Sequence, residues 1–159
     1  MMFKTILWAT DGSEDADRAL PYARALAGGE GAMLVAAHIV QKTIPRTTGA
    51  PDAPGYEDDL GDRVVRRVAE LSSDGLDAML RVVSHLGPQP AQGIADLARE
   101  LGVDVIVVGT PGHSPLGGLM TGSVTQYLVQ IAPCPVLVIG PEAGTIIEPR
   151  EDHATGDPA

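Results

Sequence analysis

Residues 102–140 read GVDVIVVGTPGHSPLGGLMTGSVTQYLVQIAPCPVLVIG, and the order of features in this stretch restricts the fold more than anything else in the chain. Its ends, at 105–108 and 136–139, are short uninterrupted runs of valine, isoleucine and leucine. Strands covered on both faces have this pattern, so these two are expected to lie parallel and close together in one sheet. Between them come glycines at 109, 112, 117, 118 and 122, then Ser123, then Val124, Leu128 and Ile131 at helical spacing. The predicted order is strand, glycine-rich loop, helix, strand. Glycines let backbone approach a bulky anion, and a helix start offers free N–H groups and a positive dipole end, so this order suits a phosphate.

The two familiar nucleotide fingerprints are absent. No Lys follows the last glycine as GxxxxGK[ST] requires, and no GxGxxG spacing occurs in the loop. What stands there is Gly109-x2-Gly112-x9-Gly122-Ser123, with Ala132-Pro133-Cys134-Pro135 leading into the last strand. One such glycine would be read as a turn residue. Four positions at this spacing, after a buried strand and before a helix, favour a ligand-holding role.

A chain of 159 residues can bury one sizeable core, and one domain is expected. Its formal charge of −10 repels phosphate backbones, and aromatic residues are few, so nucleic acid is not an expected partner. Cys134 is the only cysteine, which removes an intrachain disulfide and a thiolate metal cluster from consideration and fits a cytoplasmic setting. With no cationic neighbour in sequence, it reads as a small buried residue rather than a redox sensor. Residues 1–10 lack a charged segment followed by a long apolar one, and no apolar run approaches the length of a membrane span. Neither export nor membrane insertion is expected.

Taken in order, residues 3–9 read as a first strand and Thr10-Asp11-Gly12-Ser13 as a turn into a helix that Ser13 caps, with Glu14, Asp15 and Asp17 in its first turn. Ala16, Ala19, Leu20, Ala23, Leu26 and Ala27 form its buried stripe, and Pro21 is expected to kink or divide it. Residues 32–40 form a second strand, completing a right-handed βαβ unit. Residues 41–55, with three prolines, read as an irregular exposed loop. A second helix spans 56–73 on Leu60, Val64, Val68 and Leu71, its arginines and aspartates forming a solvated face. A more polar third strand at 78–86 suits a sheet edge, and a third helix follows at 91–101. Residues 141–159 lack periodicity and read as a disordered acidic tail. His38, inside an apolar strand, reads as a satisfied core histidine rather than a ligand. Five strands alternating with four helices imply an α/β three-layer sandwich on a parallel sheet.

With Thr10-Asp11, His38-Ile39 and the glycine pattern together, residues 3–140 resemble the universal stress protein family, whose nucleotide-binding members carry G-x2-G-x9-G-[ST]. The resemblance implies the strand order 3-2-1-4-5. A ligand in such a sheet sits at the carboxyl ends where the winding reverses, here between strands 1 and 4, beside Asp11 and Gly109. Carried over by position, the family pattern places Ala9, Thr10 and Asp11 beside the nucleoside, with Ile39 at the adenine and Val108 at the base or ribose. Gly109 and Gly112 would approach ribose and phosphates, and Gly122, Ser123 and Val124 would hold the phosphates. Each role suits its residue: a carboxylate accepts from ribose hydroxyls or holds a cation, and a serine at a helix start donates to phosphate oxygen.

The chain also departs from its relatives. Many family loops carry Arg or Lys after the first glycine pair, whereas here the loop between 109 and 122 has neither and offers only His113. Backbone N–H groups, the helix dipole and Mg²⁺ would have to meet the phosphate charge, and ATP binding weaker than in basic-loop relatives is expected. The resemblance implies an ATP-binding regulator or sensor in a stress response, with slow hydrolysis at most, since no catalytic base, Ser/His/Asp elbow or HExxH is present. It also implies a homodimer formed by antiparallel pairing of strand 5 (Val136, Leu137, Val138, Ile139). The alternative is an interaction module of the same fold that works through its dimer surface without nucleotide. An adenylyl transferase is disfavoured by the lack of HIGH-like or SGGxDS motifs. The expected organisation is a domain over 1–140 and a tail over 141–159.

Overall fold

The computed structural model describes residues 3–42, 56–86, 90–110 and 122–144. Strands β1 (Thr5–Thr10), β2 (Met33–Lys42), β3 (Asp77–Leu86), β4 (Val105–Gly109) and β5 (Val136–Ile139) alternate with helices α1 (Glu14–Leu26), α2 (Tyr56–Ser73), α3 (Pro90–Leu101) and α4 (Ser123–Ile131). All four strand pairings are parallel, and the order across the sheet is β3-β2-β1-β4-β5. The β-branched runs account for this arrangement. Successive side chains of a strand point to opposite faces, so a run with no polar alternation needs cover on both.

That cover comes as two separate cores. Ile6, Trp8, Leu34, Ala36, Val105 and Val107 pack toward α1 and α2 with Ala19, Ala23 and Leu71. Leu7, Ala9, Ala37, Ile106 and Val108 pack on the opposite face with Ile94, Ala98 and Leu128 of α3 and α4. Adjacent residues of β1 thus belong to different cores, and β1 itself is central, paired with β2 on one side and β4 on the other. Between the neighbouring strands β1 and β4 the connections change direction.

Several local expectations need correction. Helix α1 runs unbroken through Pro21. The proline ring is exposed, so it meets no packed neighbour and water can reach the carbonyl it leaves without a donor. The α2 arginines are not all idle in solvent: Arg63 Nη2 and Arg67 Nη2 reach Asp17 Oδ2 on α1 at 3.4 and 3.3 Å, tying the two helices together. Strand β2 continues to Lys42, two residues into the expected loop, and residues 43–55 lie outside the described residues. Within the expected tail, residues 141–144 form a turn in which Ala143 N donates to Gly140 O, and the Tyr22 hydroxyl of α1 donates to Gly144 O. Residues 145–159 lie outside the described residues.

The edges of the sheet are β3 and β5. On β3, Arg81 pairs with Glu100 of α3 at 2.7 Å, in keeping with its polar character. On β5, Leu137 and Val138 are exposed while Ile139 is buried.

Candidate functional site

The first wall is the turn after β1. Thr10 is buried, and its Oγ1 accepts from Gly12 N at 3.0 Å; Asp11 Oδ1 accepts from Ser13 N at 2.9 Å. Each side chain bonds the backbone two residues on, which bends the chain sharply as it leaves the strand. Gly12 completes the bend with φ +84°, and a Cβ there would come within 2.7 Å of Leu60 O on α2. Ser13 then caps α1, its Oγ accepting from Ala16 N at 3.3 Å. The outcome is an exposed Asp11 carboxylate at the carboxyl end of the central strand.

The second wall is the end of β4. Gly109 faces α1 so closely that a Cβ on it would lie 1.9 Å from Asp15 O. Here glycine is required by a helix backbone, a reason separate from any ligand. Beneath this contact Trp8 Nε1 donates to Ala16 O at 2.9 Å, fixing the first turn of α1 over the sheet. Thr110 extends the β4–β5 ladder through Thr110 N to Ile139 O at 2.9 Å, and its buried Oγ1 has no hydrogen-bond partner among the described residues. Residues 111–121, Gly112 included, lie outside the described residues.

The third wall is the start of α4. Gly122 is its N-cap with φ −50° and ψ 145°, a conformation open to any residue, and no side chain caps the helix there. Its carbonyl accepts from Gln126 N at 3.1 Å. The N–H groups of the first turn have no intrahelical acceptor and point out of the helix end. No acidic residue stands in that turn, in contrast to Glu14, Asp15 and Asp17 in α1.

These walls enclose a cavity of about 530 Å³, within the size range of small-molecule sites. Of the residues the sequence singled out, Ala9 and Asp11 line it from β1 and its turn, and Ile39 lines it from β2. Val108 and Gly109 line it from β4, and Gly122, Ser123 and Val124 from α4. Thr10 is not in the lining; it holds the turn from below. His38 lines the cavity too, buried, with Nδ1 3.4 Å from Thr10 O. It is both a partnered core histidine and part of the wall. Ser13 and Asp15 of α1 and Pro90 and Ile94 of α3 were not anticipated. The signal for them was the direction of each helix, since the N-termini of crossover helices sit at the carboxyl ends of the strands they follow.

Among the described residues the lining carries two carboxylates, Asp11 and Asp15, and no Lys or Arg. Asp15 pairs with Arg18, one turn along α1. No group of three or more metal-ligating side chains occurs among the described residues. Two carboxylates nevertheless fit a Mg²⁺ that arrives with phosphate oxygens, because that ion keeps several waters and needs only one or two protein carboxylates.

A cavity at the winding reversal of a doubly wound parallel sheet, with an uncapped helix start on one side and a carboxylate on the other, places the chain among the open-sheet α/β proteins whose ligands bind at the carboxyl ends of the strands. The universal stress protein family model matches residues 2–140, and the chain belongs to that family. A universal stress protein of Thermus aquaticus, from the QAH/OAS sulfhydrylase 3' region, is 38% identical over 145 residues, covering 87% of this chain and 99% of the relative. A universal stress protein solved in complex with cAMP matches with a TM-score of 0.63 at 23% identity, over 87% of this chain and 98% of that one. The Archaeoglobus fulgidus universal stress protein solved in complex with dAMP gives 0.60 at 22% identity, over 87% and 99%. Among the described residues no helix is long and apolar enough to cross a membrane.

Proposed function

We propose that this protein binds an adenine nucleotide, ATP with Mg²⁺, in the cavity between β1 and β4 and acts in the cytoplasm as a nucleotide-dependent regulator in a stress response. The observation that carries this reading is the bare start of α4 facing the Asp11 turn across one cavity. Phosphate would meet the N–H groups and hydroxyl at Gly122, Ser123 and Val124, with Gly112 joining from its loop. Ribose hydroxyls would donate to Asp11. The base would lie along Ile39 and Val108, beside Ala9. Thr10 contributes by shaping the turn. Asp15, or Asp11 in place of its ribose contact, would hold Mg²⁺, which would supply positive charge at the phosphates. Among the described lining residues the groups that could act as a base already have partners, Asp11 with Ser13 N, Asp15 with Arg18 and His38 with Thr10 O, so hydrolysis is slow at most. Two solved universal stress proteins carry adenine nucleotides, one cAMP and one dAMP, which supports the ligand class.

The apolar edge favours a further element. Leu137 and Val138 stand exposed on a terminal strand, a surface that soluble proteins tend to cover. A homodimer through β5 would cover it, with the domain ending near residue 140 and the acidic remainder as a tail. The same surface keeps alive a reading in which the dimer acts as an interaction module without nucleotide. Mass spectrometry of protein purified gently without added nucleotide separates the two. A stoichiometric adenine nucleotide supports the first reading; protein free of nucleotide that also fails to take up ATP and Mg²⁺ in a titration contradicts it.

A further inference from the structure

Helix α1 has two flanks, and its ion pairs fix which neighbour each one faces. On one flank Asp17 meets Arg63 and Arg67, and Arg24 meets Asp74 at 2.7 Å, so that side is turned to α2. Successive helix positions turn by about 100°, which puts Tyr22 and Leu26 on the other flank, toward β5. Both are partly buried against the core that contains Ile139. Leu137, two residues before Ile139, shares its face of the sheet yet stands exposed, while Val138 points to the opposite face. Leu137 therefore marks the place where the cover given by α1 ends.

The chain itself turns back toward that place. After β5 a turn closed by Ala143 N to Gly140 O reverses its direction, and the Tyr22 hydroxyl donates to Gly144 O. Tyr22 lies roughly two turns along α1, which runs opposite to the strands. By residue 144 the chain has thus come back over the face that carries Leu137. Next in sequence are Thr145, Ile146 and Ile147, three β-branched residues bounded by Glu148 and Pro149. At about 3.3 Å per residue they span about 10 Å, most of the length of the four-residue β5. Such a run suits a half-covered sheet face.

We propose that residues 145–147 of this chain are the occupant of that face: they continue along the β5 flank of α1 and lay an isoleucine on Leu137. The folded unit then extends past residue 140, and the acidic tail begins at Glu148. Val138 and the open backbone edge of β5 are left for a second copy.

The test is disulfide trapping in the full chain on a Cys134→Ser background. Leu137→Cys is combined with Ile146→Cys, with Ile147→Cys or, as a control for random collision of the tail, with Asp157→Cys. A bond needs Cα atoms within about 7 Å. Mild oxidation at low micromolar concentration should close an intramolecular bond to 146 or 147 about tenfold faster than to 157, and Tyr22→Phe, which releases Gly144, should remove that advantage. Rates no greater than that of the 157 control, or a bond between two chains as the main product, which would put a second copy on Leu137, overturn the proposal. Because Leu137→Cys alters the contact itself, hydrogen exchange on chains without added cysteines gives a second reading. The amides of residues 145–147 should exchange more slowly than those of residues 150–159, and more slowly in wild type than in Tyr22→Phe; equal exchange along the whole segment also overturns the proposal.

Discussion

Gly109 and Gly122 both belong to the glycine pattern, yet different forces hold them there. At Gly109 the constraint is internal, because a Cβ would sit 1.9 Å from Asp15 O, far inside contact distance. Neither backbone can yield cheaply, since β4 is paired on both sides and α1 is anchored by Trp8. Gly109→Ala is therefore expected to lower unfolding stability by roughly 1–3 kcal/mol or more, the usual cost of overpacking. Gly29→Ala is the control, because a Cβ there meets nothing within 4 Å, and urea titrations of the two proteins read the difference. Ser123 is a different case, exposed at the first turn of α4. Ser123→Ala removes one donor to a charged group, roughly 1.5–3 kcal/mol, so ATP with Mg²⁺ should bind about tenfold to a hundredfold more weakly to a protein that melts normally. From the sequence both glycines looked alike. The contact that distinguishes Gly109 joins residues 94 positions apart, and no spacing rule reports it.

At the scale of elements, the buried runs were legible because they lack polar alternation, and each of the five strands stands within two residues at either end of where the sequence placed it. Less legible were features set by which side of an element faces out. Pro21 was expected to break α1 but lies on the solvent side, and the α2 arginines were read as solvated until α1 placed Asp17 beside them. Asp104 was another hidden link. Its Oδ2 accepts from Lys4 N at 2.8 Å and Thr5 N at 2.9 Å, joining the start of β1 to the approach to β4. The Thr5 N–H, then the Lys4 N–H, hold this carboxyl below the ordinary aspartate value of 3.8. A depressed folded-state pKa contributes stability that is present above the unfolded value and disappears as pH falls through the folded one. Melting curves of wild type and Asp104→Asn should thus differ at pH 6, with wild type higher, and converge as the pH falls below 3.8 and through the lower folded-state value. Parallel curves across that range would show that the carboxylate charge contributes nothing to the link.

On the scale of the whole molecule, the topology places the cavity proposed for the nucleotide and the exposed β5 edge on separate parts of one sheet. Light scattering at high micromolar concentration should give twice the chain mass with and without ATP, and a monomer mass in both conditions would remove the β5 dimer. The family resemblance supplied the strand order, and the order brought Asp11 and Gly109 together. The part of the cavity contributed by α1 and α3 was not legible, because a lining is a property of helix ends seen across several strands. Gly122 offers the most direct test of the central claim, that an adenine nucleotide sits between β1 and β4 with phosphate at the start of α4. Its φ of −50° suits any residue, so Gly122→Val can fold while placing a branched side chain where the phosphate would lie. Titration calorimetry of both proteins with ATP and Mg²⁺ is the measurement. Binding by the wild type that is abolished in Gly122→Val, at unchanged melting temperature, is the predicted result, whereas equal affinity in the two proteins would contradict the account by placing the nucleotide elsewhere.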